Sequence, residues 1–454
     1  MLRSPCVRFA FCLSVGLFVE LLVGCAATDQ DAAPPDRAAA APQRAALPVV
    51  TPPVSAPTAP STTPAPPAPP VALPAPLPPP GAVSASAALP LAAIDAVVER
   101  AAARLFQDAL RSLGDAPRDV VIDPLIDANT GQQTLATVAV GAQLAQSIRQ
   151  KVKTWTVRPL NRNHLASSPL LLIGTLTPVA LNEAGNGPPD AFRLWLTLVD
   201  LRSNLIVAKR LDRATLASVN AEPTPFFRDS PTWHQDRTVA AYVKSCQVAA
   251  RVGERIDPLY RWRLPAAALL TEAIGAYQDK QFASARRLFV QASEIADPDD
   301  LRVLSGRFLS SWKLGRKDEA AQEMKRIVAL GLAAKSLSLK VQFQPGSTTL
   351  LPAAEPREQH RLWVREVARE ASASKACVRV VGHASRGGSG SAAVDLSQRR
   401  AATVRWLLAR AAPGNDARFT AQGVGWRDNL IGLGHDDQRD ALDRRIEFRV
   451  VDCP

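Results

Sequence analysis

Hydrophobic and polar positions alternate in two different ways across residues 91–262. Apolar residues first recur every three or four positions, which predicts an amphipathic helix that ends at Gly114. Short apolar runs then predict strands, with a second helical pattern between them. A longer alternating stretch predicts a hairpin with its turn at Arg202-Ser203-Asn204. This mixture predicts an α/β domain built in layers.

The pattern becomes helical throughout residues 263–333. Two similar helix pairs follow each other, with small residues where paired helices approach. Repeats of this kind usually need about three or more copies to be stable alone. We therefore expect this helical pair of units to pack on a flanking domain.

Residues 334–454 read as strand, helix, strand, helix, strand, strand, which predicts a domain that mixes helices and strands. The second helix is expected to begin at Ser397, whose side chain is a natural N-cap. The strand before it is expected to turn Arg379 and Val381 away from the core. The residues expected to face inward are Leu362, Val364, Val367, Val378, Val380, Gly382, Val404, Leu407 and Leu408. The whole chain is thus predicted to be a multidomain protein of α/β and α+β class.

The first 90 residues lack these patterns and divide into two parts. Residues 1–24 combine basic Arg3 and Arg8 with a short apolar run and small residues, as in an export signal. Residues 25–90 hold about half of the 38 prolines and no aromatic residue, so they cannot bury enough apolar surface to fold. We expect a tether there, which at about 3.1 Å per residue reaches at most about 200 Å.

The net charge of +12 and the pI near 9.8 raise the question of a polyanionic partner. Nucleic acid is not expected, because an exported chain seldom meets it and the basic residues are scattered among acids. Anionic wall polymer and lipid head groups are the expected counter-surface.

The signal ends in LVGC at Cys25, which resembles the lipobox of bacterial lipoproteins. The resemblance implies cleavage before Cys25 and acylation of its thiol and new amino group. Ala26 follows instead of an aspartate, which in that family implies passage to the outer membrane. A plain signal peptide or an N-terminal anchor helix is the alternative, and Glu20 inside the apolar run favours it.

Three further thiols remain if Cys25 carries lipid, in an oxidising compartment. Cys377 opens a predicted strand and Cys453 ends the last one, so a disulfide between them is the preferred pairing and Cys246 is left over. A zinc site is not expected, because close pairs of Cys or His do not occur.

Three polar segments leave alternatives open. Asp127–Gly131 begins like a calcium loop but lacks the closing glutamate, since Val138 stands there, so an Asx-type turn is favoured. Pro223–Asp236 sets three aromatic residues between prolines, as a loop folded on its own domain or as a docking loop for a partner. Gly432–Asp443 is rich in aspartate; a solvated loop with an N-cap is favoured over a metal site.

Two resemblances concern the middle of the chain. The strand pattern of residues 91–216 is similar to the periplasmic α/β domain shared by FlgO-like, CsgG-like and LpoB-like lipoproteins. The helical units of residues 263–333 resemble tetratricopeptide (TPR) repeats, which implies protein contact only weakly. The residues that carry the TPR spacing are Gly275, Tyr277, Phe282, Ala285, Leu288, Ala292 and Pro298.

The C-terminal region has the sequence GHxx…LSxxRA…V…L…GxG…DRRIEF and resembles the OmpA-like peptidoglycan-binding domain. The resemblance implies a mixed-sheet α/β sandwich. It also implies a ligand with both carboxylate and ammonium, the diaminopimelate side chain of the wall peptide. It places the carboxylate-binding arginine at Arg400 in the first turn of the second helix, beside Ser397. His383 belongs to the GH of the motif, and Arg444 to its paired arginines.

Asp443 replaces the family's asparagine before the paired arginines, and two positions of the expected ligand site also depart from the family. Ser385 stands where an aspartate pairs with the ammonium, and Ala393 stands where an asparagine is expected. Losing one charge-assisted hydrogen bond forfeits about 1.5 to 3 kcal/mol, so the site is expected to be weakened rather than lost. Asp395 is close enough in sequence to replace the missing charge. Alternatively, Arg400 and Arg444 only brace loops.

The sequence predicts an outer-membrane lipoprotein on the periplasmic side that binds peptidoglycan non-covalently and links membrane to wall or scaffolds an envelope machine. The alternative is a periplasmic adaptor that recruits a secretion, flagellar or wall-synthesis partner and has lost wall binding. An oligomeric secretion-channel component is a third hypothesis. Neither an enzyme nor a cofactor is expected, since catalytic arrangements and metal-ligand spacings do not rise above chance.

Overall fold

The computed structural model describes seven ranges of the chain: residues 90–181, 187–233, 236–247, 250–344, 346–350, 354–435 and 437–453. The predicted signal, Cys25 and all of the tether except Pro90 lie outside the described residues. Within these ranges, no helix is long and apolar enough to cross a membrane.

The N-terminal domain is a mixed sheet with helices on both faces. Its sheet has the order β2-β1-β3-β4-β5, in which β1 lies parallel to β2 and β3 while β3, β4 and β5 run antiparallel. Asn204 takes a left-handed conformation in the β4–β5 turn, where the hairpin was predicted. The elements are α1 (Ile94–Leu113), β1 (Arg118–Ile122), α2 (Leu135–Lys151), β2 (Trp155–Arg158), α3 (Arg162–Ala166), β3 (Leu170–Val179), β4 (Ala191–Asp200), β5 (Leu205–Thr215), α4 (Pro225–Asp229) and α5 (Arg237–Cys246).

Two apolar clusters make this domain three-layered. Helices α1 and α2 cover one face of the sheet, where Phe106 meets Trp155 edge to face. Helix α5 and the start of the next helix cover the other face, where Tyr242 and Tyr260 pack together. The segment after β1 forms the predicted Asx-type turn, because an Asp127 side-chain oxygen accepts from the Asn129 N–H at 3.1 Å.

Four helices form the middle of the chain, α6 (Pro258–Gln278), α7 (Phe282–Ile295), α8 (Leu301–Lys313) and α9 (Lys317–Ala333), each packed on the next. Helix α6 belongs to both neighbours, since Leu264 lies in the N-terminal domain's core and Ile274 lies among the helices. The predicted boundary between residues 262 and 263 is therefore wrong as a domain edge, because it falls inside one continuous helix.

The C-terminal domain has the predicted order of elements: β6 (Ser336–Leu339), α10 (Ala354–Ala373), β7 (Cys377–His383), α11 (Gly390–Ala411), β8 (Phe419–Gly425) and β9 (Ile446–Val451). Its sheet has the order β6-β9-β7-β8, with β7 and β8 parallel and β9 antiparallel to both its neighbours. Val381 is fully buried although an outward position was predicted, because both faces of β7 are covered at that point. Cys377 and Cys453 form a disulfide, the pairing that the sequence favours.

The helices and the C-terminal domain share one hydrophobic core. This cluster runs from Phe289 in α7 through Ile327 in α9 to Val367 in α10 and Phe448 in β9. The helical units therefore pack on a flanking domain, as expected from their small number.

The aromatic segment Pro223–Trp233 joins the three parts of the fold. Phe226 stacks on Phe289 of the helical units at 5.5 Å between ring centroids. Thr232 donates to the Ser338 carbonyl at 2.6 Å, and the Lys340 N–H donates to the Pro231 carbonyl at 2.9 Å. The prediction of a loop folded on its own domain is thus wrong, because Phe226 and Phe227 lie in the core of the following elements.

Candidate ligand site at the ends of strands β7 and β8

Three of the predicted residues lie where the parallel strands β7 and β8 end beside the start of β9: His383 ends β7, Ser385 follows it, and Ser397 of α11 contacts the end of β8. The His383 N–H donates to the Arg445 carbonyl at 3.1 Å, and the Ala384 N–H donates to the Gly425 carbonyl at 2.9 Å. A Cβ at Gly382 would lie 2.2 Å from the Ser397 carbonyl oxygen, so only glycine lets α11 approach β7 this closely. The edge is therefore built by tight contact of strand and helix backbones.

Ser397 lies inside α11, and its predicted role as N-cap is wrong. The helix begins two turns earlier, where the Ser389 hydroxyl accepts from the Ala392 N–H at 3.3 Å. Ser397 is fully buried; its hydroxyl donates to the Val394 carbonyl and accepts from the Gly425 N–H at 2.9 Å. It holds the end of β8 against the helix.

Arg400 lies about three turns into α11 rather than in its first turn. The free N–H groups of the helix N-terminus therefore do not adjoin its guanidinium. Arg400 is 3% exposed, and it donates from Nε to the Ser347 carbonyl at 3.0 Å and from Nη2 to the Gln344 carbonyl at 3.3 Å. Its guanidinium also faces the Phe343 ring at 5.1 Å. These contacts fix both the arginine and the loop after β6.

Ser385 lies two residues after the end of β7 and is 8% exposed. Asp395, the expected substitute for the missing aspartate, instead points to solvent with its side chain 62% exposed and pairs with Arg399. The prediction of a replacement charge at Asp395 is therefore wrong, because the residue lies on the outer face of α11. Ala393, on the inner face, is buried.

A buried cluster of His383, Arg445 and Glu447 lies next to the end of β7. Arg445 donates from Nε to Glu447 at 2.8 Å, and His383 Nε2 lies 3.4 Å from the same carboxylate. Burial lowers the pKa of His383 below its usual range, although Glu447 opposes the shift. Burial also acts to raise the pKa of Glu447, but His383 and Arg445 outweigh it and hold that pKa well below its usual range. His383 is therefore neutral and Glu447 charged near pH 7.

Two aspartates of the Gly432–Asp443 segment hold the loop between β8 and β9. Asp443 accepts from the N–H groups of Leu430, Ile431 and Gly432 at 2.7, 3.0 and 2.7 Å. Asp440 accepts from the Leu433 and His435 N–H groups and is fully buried like Asp443. The expectation of a solvated loop is wrong for this pair. The nearby glycines were the feature of the sequence that could have indicated a tight, ordered loop here, since Gly432 and Gly434 take positive φ values.

The remaining predicted residues lie elsewhere in the domain. Arg444 donates from Nη2 to the Asp437 carbonyl at 2.8 Å, so it fixes the same loop. An N-cap was expected in this segment, and the structure places it at Asp437, which accepts from the Arg439 N–H at 2.9 Å. The disulfide lies at the opposite end of β7, and Cys25 lies outside the described residues. Among the described residues, no group of three or more His, Cys, Asp or Glu side chains is arranged to hold a metal ion.

The C-terminal domain holds a buried cation, Arg400, and a buried hydroxyl, Ser385. A guanidinium pairs best with a carboxylate, and a serine hydroxyl can accept from an ammonium. A zwitterionic group that reached both side chains would therefore find a partner for each of its charges.

Residues 342–441 match the model of the OmpA family. The match includes His383, Ser385, Ser397 and Arg400 and stops short of Arg444. Comparison with curated proteins gave no match.

Three solved structures are similar to about a quarter of this chain. The peptidoglycan-associated lipoprotein from Burkholderia pseudomallei is 24% identical, over 27% of this chain and 93% of that one, with a TM-score of 0.22. The cell wall anchor of the T6SS from Pseudomonas aeruginosa is 22% identical, over 28% and 95%, with a TM-score of 0.22. The OmpA-like domain of FopA1 from Francisella tularensis is 22% identical, over 26% and 75%, with a TM-score of 0.21. The family match shows that the C-terminal region of this chain contains an OmpA-like domain.

Proposed function

We propose that the C-terminal domain binds peptidoglycan non-covalently, through the diaminopimelate-type side chain of the wall peptide. The observation that carries the proposal is the position of Arg400, buried at a fixed place in a domain that matches the OmpA family over residues 342–441. The wall carboxylate pairs with Arg400, and the Ser385 hydroxyl accepts from the ammonium.

The site is proposed to be weak by itself. Serine supplies a neutral acceptor where a carboxylate would add charge, which costs about 1.5 to 3 kcal/mol of binding free energy. A second attachment in the same chain compensates, because two linked anchors raise each other's effective concentration. We propose acylated Cys25 as that anchor, in the outer membrane and facing the periplasm. The LVGC sequence supports it. Incorporation of labelled palmitate into wild type but not into Cys25→Ser tests it.

Co-sedimentation with purified peptidoglycan tests the wall-binding proposal. The whole chain is used, with Cys25→Ser to prevent acylation, because the C-terminal domain shares its core with the helices. Arg400→Ala is expected to weaken pelleting by about tenfold or more, and Ser385→Asp to strengthen it. Arg379→Ala, at an exposed position on β7 of the same domain, is the matched control and is expected to pellet like the parent chain.

Arg400 also fixes the loop after β6, so loss of binding must be separated from loss of structure. The thermal unfolding midpoint of each variant is measured beside the pelleting. Arg400→Lys keeps the charge and is expected to retain part of the binding. Pelleting that is unchanged in a folded Arg400→Ala variant contradicts the proposal.

A second candidate function is a periplasmic adaptor for a protein partner. The observation that favours it is that Arg400 already donates to two carbonyls of its own domain, at Gln344 and Ser347. In this function the N-terminal domain and the helices recruit the partner. A parent chain that does not pellet, while Ser385→Asp does, supports the adaptor.

A further inference from the structure

A groove separates helices α10 and α11 on the outer side of the C-terminal domain, next to the loop that Arg400 holds. The volume of the groove is about 620 Å³, which is within the range of small-molecule sites. Its apolar surface comes from Leu350, Val364 and Leu407. Leu350 and Leu407 are half-buried, so part of this surface remains open to solvent. The candidate peptidoglycan site does not use this groove.

Four arginines surround the apolar surface. Arg357, Arg361 and Arg365 are four residues apart on α10, so they lie on one face at about 6 Å intervals, and Arg410 faces them from α11. All four are exposed. The described residues that line the groove include no aspartate or glutamate. The groove therefore combines an apolar surface with an excess of positive charge.

The charge is only partly neutralised by neighbouring groups. Arg365 lies 3.7 Å from Glu366 on its own helix, and Glu366 also pairs with Arg369 outside the groove. Within the part of the chain that the structure describes, neither Arg361 nor Arg410 forms an ion pair. These two arginines are therefore available to an external anion.

An exposed tryptophan adjoins the groove. Trp406 on α11 is 52% exposed, and the Arg410 guanidinium lies 4.8 Å from its ring centroid. Tryptophan and arginine together are typical of surfaces that contact lipid head groups. Neither the disulfide nor the shared core accounts for an aromatic side chain exposed at this position.

We propose that this groove binds a single acidic phospholipid, with its phosphate between Arg361 and Arg410 and an acyl chain along Val364 and Leu407. The ligand must carry both an anion and an apolar chain, because the groove offers partners for both. The volume of this open groove, about 620 Å³, is within the range of small-molecule sites, which favours a single lipid over an acidic helix of a protein partner. The inference does not depend on peptidoglycan binding, and its test contains no peptidoglycan.

Isothermal titration calorimetry with dioctanoyl-phosphatidylglycerol, below its micelle concentration, tests the proposal. The protein is the full-length chain with Cys25→Ser, so that no covalently attached acyl chain occupies the groove. We expect saturable binding, with dioctanoyl-phosphatidylcholine about tenfold weaker or more. The double variant Arg361→Gln/Arg410→Gln is expected to lose a similar factor. Leu407→Gln is expected to weaken binding without changing the net charge.

The matched control is Arg202→Gln/Arg379→Gln, which removes the same charge at exposed positions outside the groove and is expected to bind like the parent chain. Circular dichroism melting establishes that each variant is folded. Equal binding of the two lipids, or binding unaffected by Leu407→Gln, overturns the proposal. It is also overturned if inorganic phosphate displaces the lipid at equal concentration, or if only an acidic helical peptide binds.

Discussion

At the residue scale, the protonation of His360 couples the C-terminal domain's stability to pH. His360 is 2% exposed, and its Nε2 accepts from the Gln342 N–H at 3.4 Å, which requires the neutral ring. Burial lowers the pKa of His360 to about 4, while an unfolded histidine titrates near 6.5. The unfolded chain therefore binds the extra proton first as the pH falls.

This shift predicts a pH-dependent difference between wild type and His360→Gln. Between pH 6.5 and 4 the unfolded state binds more protons at this position than the folded state. The free energy of unfolding of wild type therefore falls by about 3 kcal/mol through this group. Glutamine does not titrate and offers an amide oxygen as acceptor. Urea unfolding measures the free energy of unfolding of both proteins at pH 7 and pH 4. The variant's value relative to wild type is expected to be higher at pH 4 than at pH 7 by roughly that amount. A difference that stays constant with pH is the contrary result.

Buried aspartates shift in the opposite sense, which is why the comparison is made between two variants. Burial raises the pKa values of Asp123, Asp127 and Asp236 to about 6 each. A raised carboxyl pKa favours the folded state as the pH falls from 6 toward the ordinary value near 4. These groups are the same in both proteins and cancel from the difference.

At the element scale, one glycine sets the distance between helices α7 and α8. A Cβ at Gly306 would lie 2.2 Å from the Phe289 ring, which is fully buried against Phe226 and cannot move aside. Gly306→Ala is therefore expected to lower the free energy of unfolding by about 1 to 3 kcal/mol through overpacking. Urea denaturation measures the change.

Gly275 provides the matched control within the same helical units. It lies inside α6, and a Cβ there would meet nothing within 4 Å. Gly275→Ala is expected to be neutral or to stabilise by up to about 1 kcal/mol, since alanine favours the helix. Equal effects of the two substitutions would mean that close approach at Gly306 does not limit the packing.

The sequence predicted the order of the C-terminal elements because their apolar patterns are strong, but it misplaced the start of α11. Both Ser389 and Ser397 are acceptable N-caps by residue type. The choice depends on β8, whose glycines accept a helix only where small side chains such as Ser397 face them, and that contact joins distant parts of the chain. For the same reason the bonds from Arg400 to the loop carbonyls could not be predicted, since they too join distant parts of the chain.

At the scale of the whole molecule, the segment after β5 determines how the parts unfold together. Phe226 and Phe227 lie in the core that extends from the helices into the C-terminal domain. Lys340, just after β6, donates from Nζ to the Phe227 and Arg228 carbonyls. Sequence patterns within single domains gave no signal for this arrangement. Phe226 and Phe227 follow the last strand of the N-terminal domain, but their side chains lie in the core of the next elements.

A shared core predicts that the helices and the C-terminal domain unfold as one unit. Phe226→Ala removes a fully buried ring and is expected to cost about 3 to 5 kcal/mol. Hydrogen exchange is expected to show equal loss of protection in α7 and in strands β7 and β9, although Phe226 lies in none of these elements. Phe106→Ala, in the separate cluster of α1 and α2, is the matched control and is expected to reduce protection mainly in the N-terminal domain. If β7 and β9 keep wild-type protection in Phe226→Ala, the two regions unfold independently despite their continuous packing.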